Sequence, residues 1–264
     1  MSKPQPPPSR ARLWLRLAFW AAVLASSALA ARGVKRMMLN DPRFILREPL
    51  AGAEESEDFV IHGLRYASRT RVEQVFAGDF GKNVLLVPAD ERRRRLLAVD
   101  WVEDATVARL WPNRLVVSVR ERQPVAFVEV VRDAQTVRLA RLALIDAEGV
   151  LLEQPPRAKF SFPILTGVFE RQTEAERKPK VERLRRFLEE IGPLAKDVSE
   201  VDVSAHDLRV SVKVGSRSLD LLLGDRNYQK RMQRFLQHYP EIRRRSPSAT
   251  LFDLRLDDRI TAKE

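Results

Sequence analysis

The sequence predicts an α+β protein made of a single N-terminal transmembrane helix, a small domain of β-α-α-β-β order and a C-terminal, mostly antiparallel β domain with two helices. Three observations predict this class. Residues 17–31 are uncharged and mostly apolar, residues 59–122 combine short strand and helix patterns, and strand patterns of period two dominate after residue 124.

The first 40 residues carry most of the charge imbalance of the chain. The protein has 264 residues and a formal net charge of +11, from 47 Lys and Arg against 36 Asp and Glu. Seven of these basic residues and no acidic residue lie in residues 1–40. The excess charge therefore flanks the apolar run, and it does not indicate a protein that binds nucleic acid.

The apolar run itself is open to more than one interpretation. A transmembrane helix over residues 13–34, after a tail at 1–12, is supported by Arg16, which could snorkel, and by Trp14 and Trp20, which suit the headgroup level. Small residues at 28–30 also fit a cleavable signal peptide. The flanking basic residues disfavour a buried core helix. Anchor and signal both predict that the chain after residue 40 is exported.

Residues 35–57 predict a linker, because prolines and an acidic stretch at 54–58 interrupt any regular pattern. A small domain follows over residues 58–123. It begins with a strand near Phe59, continues with a helix capped by Ser68 and a second helix opened by Pro88, and closes with two strands around the turn at 111–114.

The C-terminal domain is predicted over residues 124–264. One helix begins near Arg177 and is ended by Gly192, and a last helix carries an apolar stripe from Tyr228 to Tyr239. The predicted strands cover residues 125–131, 137–145, 150–152, 198–203, 208–214 and 219–223. The chain then ends on one half-buried strand, in which Phe252, Leu254, Leu256, Ile260 and Ala262 alternate with polar residues.

No motif in the sequence indicates catalysis, a cofactor or a metal. The turn at residues 78–83 lacks the spacing of a phosphate-binding loop, the three histidines lie in separate elements, and there is no cysteine. The arginine runs at 92–95 and 243–245 predict a solvated, partly salt-bridged surface. The terminal strand is the feature that invites a partner if it lies at a sheet edge, although its pattern fits an interior strand equally well.

Residues 101–126 resemble the signature of the FtsQ/DivIB cell-division proteins. The shared skeleton is Trp-Val, Ala-x-Val-x-Arg, Trp-Pro, Leu-x-(apolar)-x-Val and Glu-Arg-x-Pro-x-Ala. Further similarity occurs at 146–150, 162–167, 223–224, 230–231, 234–235, 239–240 and 253–256. With the short basic tail and the single hydrophobic segment, the resemblance covers the whole chain.

This resemblance implies a single-pass inner-membrane protein of the division septum, with a cytoplasmic N-terminus, a POTRA domain and a periplasmic β domain. It favours the anchor over the signal peptide and implies a non-enzymatic divisome scaffold that helps control septal peptidoglycan synthesis. The implied partners are FtsB and FtsL at the β domain, other divisome components at the POTRA domain, and the lipid bilayer at residues 13–34. An alternative is a POTRA-type chaperone that binds polypeptides during envelope assembly.

The resemblance also places the binding site. The partner strand is expected to add to the family's last strand, which matches residues 250–261 here. The partner-binding residues predicted there are Phe252, Leu254, Arg255, Leu256, Arg259 and Ile260, with weaker candidates in the last helix at Lys230, Arg234 and Tyr239. We expect Leu254, Leu256 and Arg259 to guide the choice of partner, and proline at Arg255 to abolish binding if its N–H faces the partner strand.

Overall fold

The computed structural model describes residues 10–48, 56–130, 141–156, 158–256 and 258–263. The chain forms two compact units, Met1–Glu121 and Arg122–Glu264. Most of the predicted tail, the middle of the predicted linker at 49–55, and the first part of the strand predicted at 137–145 lie outside the described residues.

Unit 1 begins with a long apolar helix, α1 (Arg10–Asn40). It extends beyond the predicted range of 13–34, because no proline occurs between Arg10 and Pro42. Of the helices that the structure describes, it is the one long and apolar enough to cross a membrane. None of its apolar window is buried inside the protein, which argues against the interpretation as a core helix.

The rest of unit 1 confirms the predicted β-α-α-β-β order. Its elements are β1 (Phe59–His62), α2 (Arg69–Gln74), α3 (Ala89–Leu96), β2 (Val102–Leu110) and β3 (Arg114–Glu121). The sheet order is β1-β3-β2, with β1 parallel and β2 antiparallel to the central β3. The helices bury Val72 and Leu96 completely, together with Phe76 just after α2, so one small core holds the unit together.

Residues 41–48 differ from the predicted linker. Asp41 caps a 3₁₀ helix at Pro42–Phe44, and Leu46 is fully buried. The Leu46 N–H donates to the Lys82 carbonyl at 2.9 Å, and the Gly81 N–H donates to the Leu46 carbonyl at 2.8 Å. The segment therefore packs onto unit 1 as part of its fold, because its apolar side chains outweigh the local prolines.

The arginine run at 92–95 is also only partly as predicted. Arg94 and Arg95 are exposed, but Arg92 is buried and donates two hydrogen bonds to Asp79. Arg92 and Leu96 lie four residues apart in α3 and so share its buried face. The prediction of a solvated surface is therefore wrong for Arg92.

Unit 2 is built on a nine-stranded sheet in the order β12-β11-β10-β9-β8-β7-β4-β5-β6. Five of its neighbouring strand pairs are antiparallel and three are parallel. The strands are β4 (Pro124–Val130), β5 (Arg141–Asp146), β6 (Leu151–Leu152), β7 (Ile164–Thr166), β8 (Val198–Asp202), β9 (Leu208–Val214), β10 (Arg217–Gly224), β11 (Leu251–Asp253) and β12 (Thr261–Lys263). Of these, β7 was not predicted, because three residues are too short to show a period.

Two helices, α4 (Glu174–Ile191) and α5 (Tyr228–Arg245), contribute buried side chains to the same core as the sheet. α4 begins three residues before the predicted start, since Thr173 and Glu176 form a capping box. It ends at Ile191, next to Gly192 with φ of 55°, as predicted. Phe187, Phe235 and Phe252 are fully buried in this core, and the burial of Phe252 fixes the position of β11.

The single terminal strand predicted at 250–261 is wrong. The chain forms β11, leaves the sheet after Leu254, whose N–H still donates to the Leu222 carbonyl of β10, and returns as β12, which pairs antiparallel with β11. The break occurs at Arg255, whose N–H donates to the Asp253 carboxylate at 3.1 Å instead of to a neighbouring strand. Apolar and polar side chains therefore alternate from Phe252 to Ala262 although a turn separates the two strands, and this pattern does not reveal the turn.

Candidate partner-binding edge

The candidate site is the free edge of β12, the outermost strand of the nine-stranded sheet. Two hydrogen bonds define which backbone groups point toward this edge. The Asp220 N–H donates to the Thr250 carbonyl at 2.8 Å, and the Leu254 N–H donates to the Leu222 carbonyl at 2.9 Å. Backbone groups alternate in direction along a strand, so those of Phe252 also face β10, whereas those of Leu251 and Asp253 face β12.

The register then identifies the residue at the edge. Leu251 pairs with Lys263 and Asp253 with Thr261, and these are the hydrogen-bonded pairs of the β11–β12 ladder. Phe252 faces Ala262, so the N–H and C=O of Ala262 point away from β11. Among the described residues no strand pairs with that side of β12. Ala262 therefore offers a main-chain donor and acceptor to another strand.

Ala262 is a candidate that the sequence prediction missed as a site residue. Alternation of apolar and polar side chains shows which face of a strand is buried, but it does not show which side of the strand carries free backbone groups. That direction follows only from the register of the neighbouring strand. No signal in the sequence alone could have found it.

The predicted terminal residues divide into buried and exposed sets. Phe252 and Leu254 are fully buried, and Ile260 packs partly buried against the core. Arg255, Leu256 and Arg259 are exposed. The Leu254 side chain therefore cannot contact a partner, which corrects its predicted role in partner choice. Arg255 lies outside both strands, so proline there would change the turn between them and would not test strand addition.

The turn after β11 is held by an arginine between two carboxylates. Arg255 donates to Asp253 through Nη2 at 2.7 Å and to Asp207 through Nη1 at 2.8 Å. The hydrogen bond from Arg255 lowers the pKa of Asp253, and the bonds to Asp253 and Asp207 raise the pKa of Arg255. Arg259 is paired with Asp258 at 3.0 Å. The positive charges around the loop are thus largely compensated within the chain.

Two arginines of helix α5 donate hydrogen bonds to the backbone around the same loop. The guanidinium of Arg231 donates to the carbonyls of Leu223 at 2.5 Å and Arg255 at 2.8 Å, and Arg234 donates to the Leu256 carbonyl at 2.7 Å. Arg231, which was not predicted, is 5% exposed and lies on the apolar stripe of α5, three residues after Tyr228. Its position on that stripe is the sequence signal that could have identified Arg231 as a buried residue.

The other two candidates of α5 differ in exposure. Tyr239 is 6% exposed, and its ring contacts the rings of Phe235 and Phe252 at centroid distances of 5.3 and 6.1 Å. Lys230 is exposed. Tyr239 therefore supports β11 through packing, and of these two residues Lys230 is the one that solvent, or a partner, can reach.

An apolar N-terminal helix, a β-α-α-β-β unit and a mixed β unit with a free terminal edge together define a POTRA-containing protein with one candidate membrane helix. Comparison with known families agrees. The family model described as "POTRA domain, FtsQ-type" matches residues 55–122, and the model "Cell division protein FtsQ/DivIB, C-terminal" matches residues 136–255. The chain belongs to the FtsQ/DivIB family.

Several relatives named "Cell division protein FtsQ" are similar to this chain. The relative from Koribacter versatilis is 33% identical over 78% of this chain and 59% of its own length. The relative from Bordetella pertussis is 37% identical over 39% of this chain and 38% of its own length. The relative from Nitrosospira multiformis is 28% identical over 73% of both chains. The matched region thus spans about half the length of the first two relatives.

Proposed function

We propose that the protein is a non-enzymatic scaffold of the cell-division machinery whose β domain binds a partner by accepting a strand at β12. The observation that carries this proposal is the outward direction of the Ala262 backbone at the edge of the nine-stranded sheet. Main-chain hydrogen bonds would supply affinity, and the exposed side chains of Leu256 and Arg259 would contribute to specificity. The partners proposed from family membership are FtsB and FtsL.

The proposal extends to the rest of the chain. Residues 13–34 would anchor the protein in the inner membrane, with residues 1–12 in the cytoplasm and the POTRA domain at 58–123 and the β domain at 124–264 in the periplasm. The POTRA domain would recruit other divisome components, and the assembled complex would help control septal peptidoglycan synthesis. The apolar, unburied helix α1 and the name of the relatives support this arrangement.

A proline at Ala262 tests the edge. Proline removes the outward N–H and is tolerated at the exposed side of an edge strand. We expect Ala262→Pro to weaken binding of the periplasmic segment of FtsB to the full-length protein in nanodiscs at least about tenfold, a loss of about 1.4 kcal/mol. Isothermal titration calorimetry measures the dissociation constant. The matched control is Ala262→Thr, which keeps the N–H and should bind within about threefold.

Thr261→Pro distinguishes addition at β12 from replacement of β12. The Thr261 N–H faces β11, so proline there detaches β12 from the sheet. If the partner adds to β12, Thr261→Pro weakens binding as Ala262→Pro does. Unchanged binding of Ala262→Pro together with tighter binding of Thr261→Pro would instead show that the partner takes the place of β12, and would overturn the proposed edge.

A polypeptide-binding chaperone of the envelope is the second candidate, favoured by the outer edge of β2. The Ala105 N–H donates to its neighbour Asp104 and the Ala105 carbonyl accepts from Arg93, each at 2.8 Å, so its backbone faces away from β3. By alternation, the backbone groups of Val107 and Arg109 also face outward. Depletion of the protein separates the two functions: smooth filaments support division, whereas outer-membrane defects without filaments support the chaperone.

A further inference from the structure

Exposed large apolar side chains are concentrated at one end of unit 1. Outside α1, seven such residues are exposed in the described part of the chain. Four of them, which we name the apolar tip, are Ile45 (39% exposed), Leu86 (60%), Leu110 (47%) and Trp111 (64%). Apolar surface gathered in this way marks a contact with a protein or a membrane.

Contacts between their neighbours show that the four residues share one surface. The rings of Phe44 and Trp111 meet edge to face with centroids 5.4 Å apart. Ile45 forms a β-bridge with Asn83. Arg109 donates to the carbonyls of Leu85 at 3.1 Å and Val87 at 3.3 Å, on either side of Leu86. The tip thus joins residues 44–45, the 3₁₀ helix at Val84–Leu86 and the turn between β2 and β3.

Asn83 ties this surface to the end of α1. Its Nδ2 donates to the carbonyls of Met38 at 2.9 Å and Leu39 at 3.1 Å, in the last turn of the helix. Its Oδ1 accepts from the Leu85 N–H at 2.9 Å, at the start of the 3₁₀ helix. One side chain therefore satisfies backbone groups at two helix ends and holds the tip beside the end of α1.

The surroundings of the apolar tip are basic. The exposed basic residues on and around it are Lys35, Arg36, Arg43, Lys82, Arg109 and Arg114. Of the nearby acidic groups, Asp41 is bound by Arg43 at 2.8 Å, and Glu57 lies beside Arg114, which donates to its carbonyl. The tip therefore combines an exposed Trp and Leu with an excess of positive charge, the combination found at the interface of a membrane with anionic lipids.

The length of α1 sets the distance between the apolar tip and the bilayer. The uncharged run ends at Ala31, and Leu39 lies eight residues further, about 12 Å along the helix axis. The headgroup layer on each side of a bilayer is about 5–7 Å thick. The tip is held beside Leu39, so it lies within about one helical turn of the outer edge of the headgroups, and a tilt of the helix brings it closer.

We propose that the apolar tip rests on the periplasmic surface of the bilayer that α1 spans, with Leu110 and Trp111 among the headgroups and the basic residues against anionic lipid phosphates. This inference rests on the membrane anchoring put forward under Proposed function. It gives the POTRA unit a second attachment to the membrane, in addition to the helix itself.

Site-specific labelling of the full-length protein tests the proposal. The chain contains no cysteine, so Leu110→Cys carries a single environment-sensitive fluorophore. The protein is placed in nanodiscs of phosphatidylethanolamine and phosphatidylglycerol that contain lipids with a nitroxide near the headgroup. We expect several-fold stronger quenching at Leu110→Cys than at Leu97→Cys. Leu97 is 37% exposed and precedes the start of β2 by five residues, and the nine residues of β2 that end at Leu110 span about 27 Å.

A label at Leu24→Cys, in the middle of α1, separates the two proposals. Quenching of that label by deep nitroxides with no difference between Leu110 and Leu97 leaves the anchor intact and overturns the membrane contact of the tip. An unquenched label at Leu24 overturns the anchor and with it this inference. A change at Leu110 that appears only after FtsB is added assigns the tip to a protein contact and also overturns it.

Charge and attachment variants complete the test. Lys82→Gln combined with Arg36→Gln should lower the quenching at Leu110, and so should replacement of phosphatidylglycerol by phosphatidylcholine. Asn83→Asp, which cannot donate to Met38 and Leu39, should lower it as well. Quenching that is equal in all three conditions would contradict the proposed attachment through anionic headgroups and Asn83.

Discussion

Asp79 and Arg92 form an ion pair inside unit 1. Their side chains are 4% and 11% exposed, and the guanidinium donates through Nε at 2.5 Å and Nη2 at 2.8 Å. The hydrogen bonds to Asp79 raise the pKa of Arg92. Asp79 belongs to the turn at 78–83, and Arg92 belongs to the run of four arginines. Neither motif indicates by itself that the two residues meet, because they lie 13 residues apart with a turn and a 3₁₀ helix between them.

Removal of one member of this pair should destabilise unit 1. Asp79→Ala leaves the buried guanidinium of Arg92 with the longer 3.4 Å contact to Glu91 in place of its two hydrogen bonds to Asp79, and we expect a loss of about 3 kcal/mol in the free energy of unfolding. The free energy of unfolding is measured by chemical denaturation in a protein whose other tryptophans are replaced by Phe. The fluorescence of Trp101, which is 3% exposed in the same unit, reports unfolding.

The matched control is Arg95→Gln. Arg95 pairs with Glu91 at 2.5 Å, but the two side chains are 58% and 43% exposed. Solvent screens this pair, so its removal should cost no more than about 0.5 kcal/mol. Equal losses for Asp79→Ala and Arg95→Gln would show that burial of the Asp79–Arg92 pair does not contribute.

At the scale of elements, the β11–β12 hairpin is short and depends on its turn. Each strand has three residues. Arg255 and Lys263 are charged groups that lower the pKa of Asp253, and the hydrogen bond from the Arg255 side chain is the largest cause. The carboxylate form of Asp253 therefore favours the folded hairpin, and the protonated form does not.

This dependence predicts a loss of the hairpin in acid. Because the pKa of Asp253 is lower in the folded state, the carboxylate stabilises the folded hairpin fully above the unfolded-state pKa of about 3.9. This stabilisation is lost as the pH falls through the folded-state pKa. The Arg255 amide, which donates to Asp253, reports the transition by NMR. We expect its chemical shift to titrate with a midpoint below about 3.9. In Asp253→Asn this titration should be absent, and a midpoint at or above 3.9 in the original protein would contradict the prediction.

At the scale of the whole molecule, the excess positive charge is concentrated in the N-terminal segment, around the apolar run. Outside residues 1–40 the chain carries 40 basic and 36 acidic residues, so the rest of the chain is close to neutral. Basic residues occur on both sides of the apolar run, so this charge does not determine orientation by itself. The orientation proposed above places the N-terminus in the cytoplasm.

Two single cysteines test this topology. A membrane-impermeant maleimide added to spheroplasts should label Ser218→Cys, on the exposed side of β10, and should label Ser9→Cys only after lysis. Labelling of Ser9→Cys in intact spheroplasts would reverse the orientation. The intact mass of the purified protein gives a second measurement, because cleavage after Ala30 would remove the first 30 residues and would establish a signal peptide instead of an anchor.

Much of the fold could be predicted because its elements carry local patterns. The strict alternation of β9 gave its bounds, Leu208–Val214, without error, and Gly192 marked the end of α4. The position of the candidate site near the chain end was also predicted. The identity of its edge residue was not, because a side-chain pattern of period two does not distinguish one long strand from two strands joined by a turn.

By itself, then, the sequence determined the apolar helix, the β-α-α-β-β order, the strand-rich second unit and the family, since each depends on neighbours within a few residues. Only the tertiary structure decided that Arg92 is buried, that residues 41–48 pack onto unit 1 and that Ala262 faces outward. Asn83 and Met38 are 45 residues apart, and their hydrogen bond exists only because the fold brings them together. Contacts of this kind depend on register and packing between distant segments, which local periodicity does not specify.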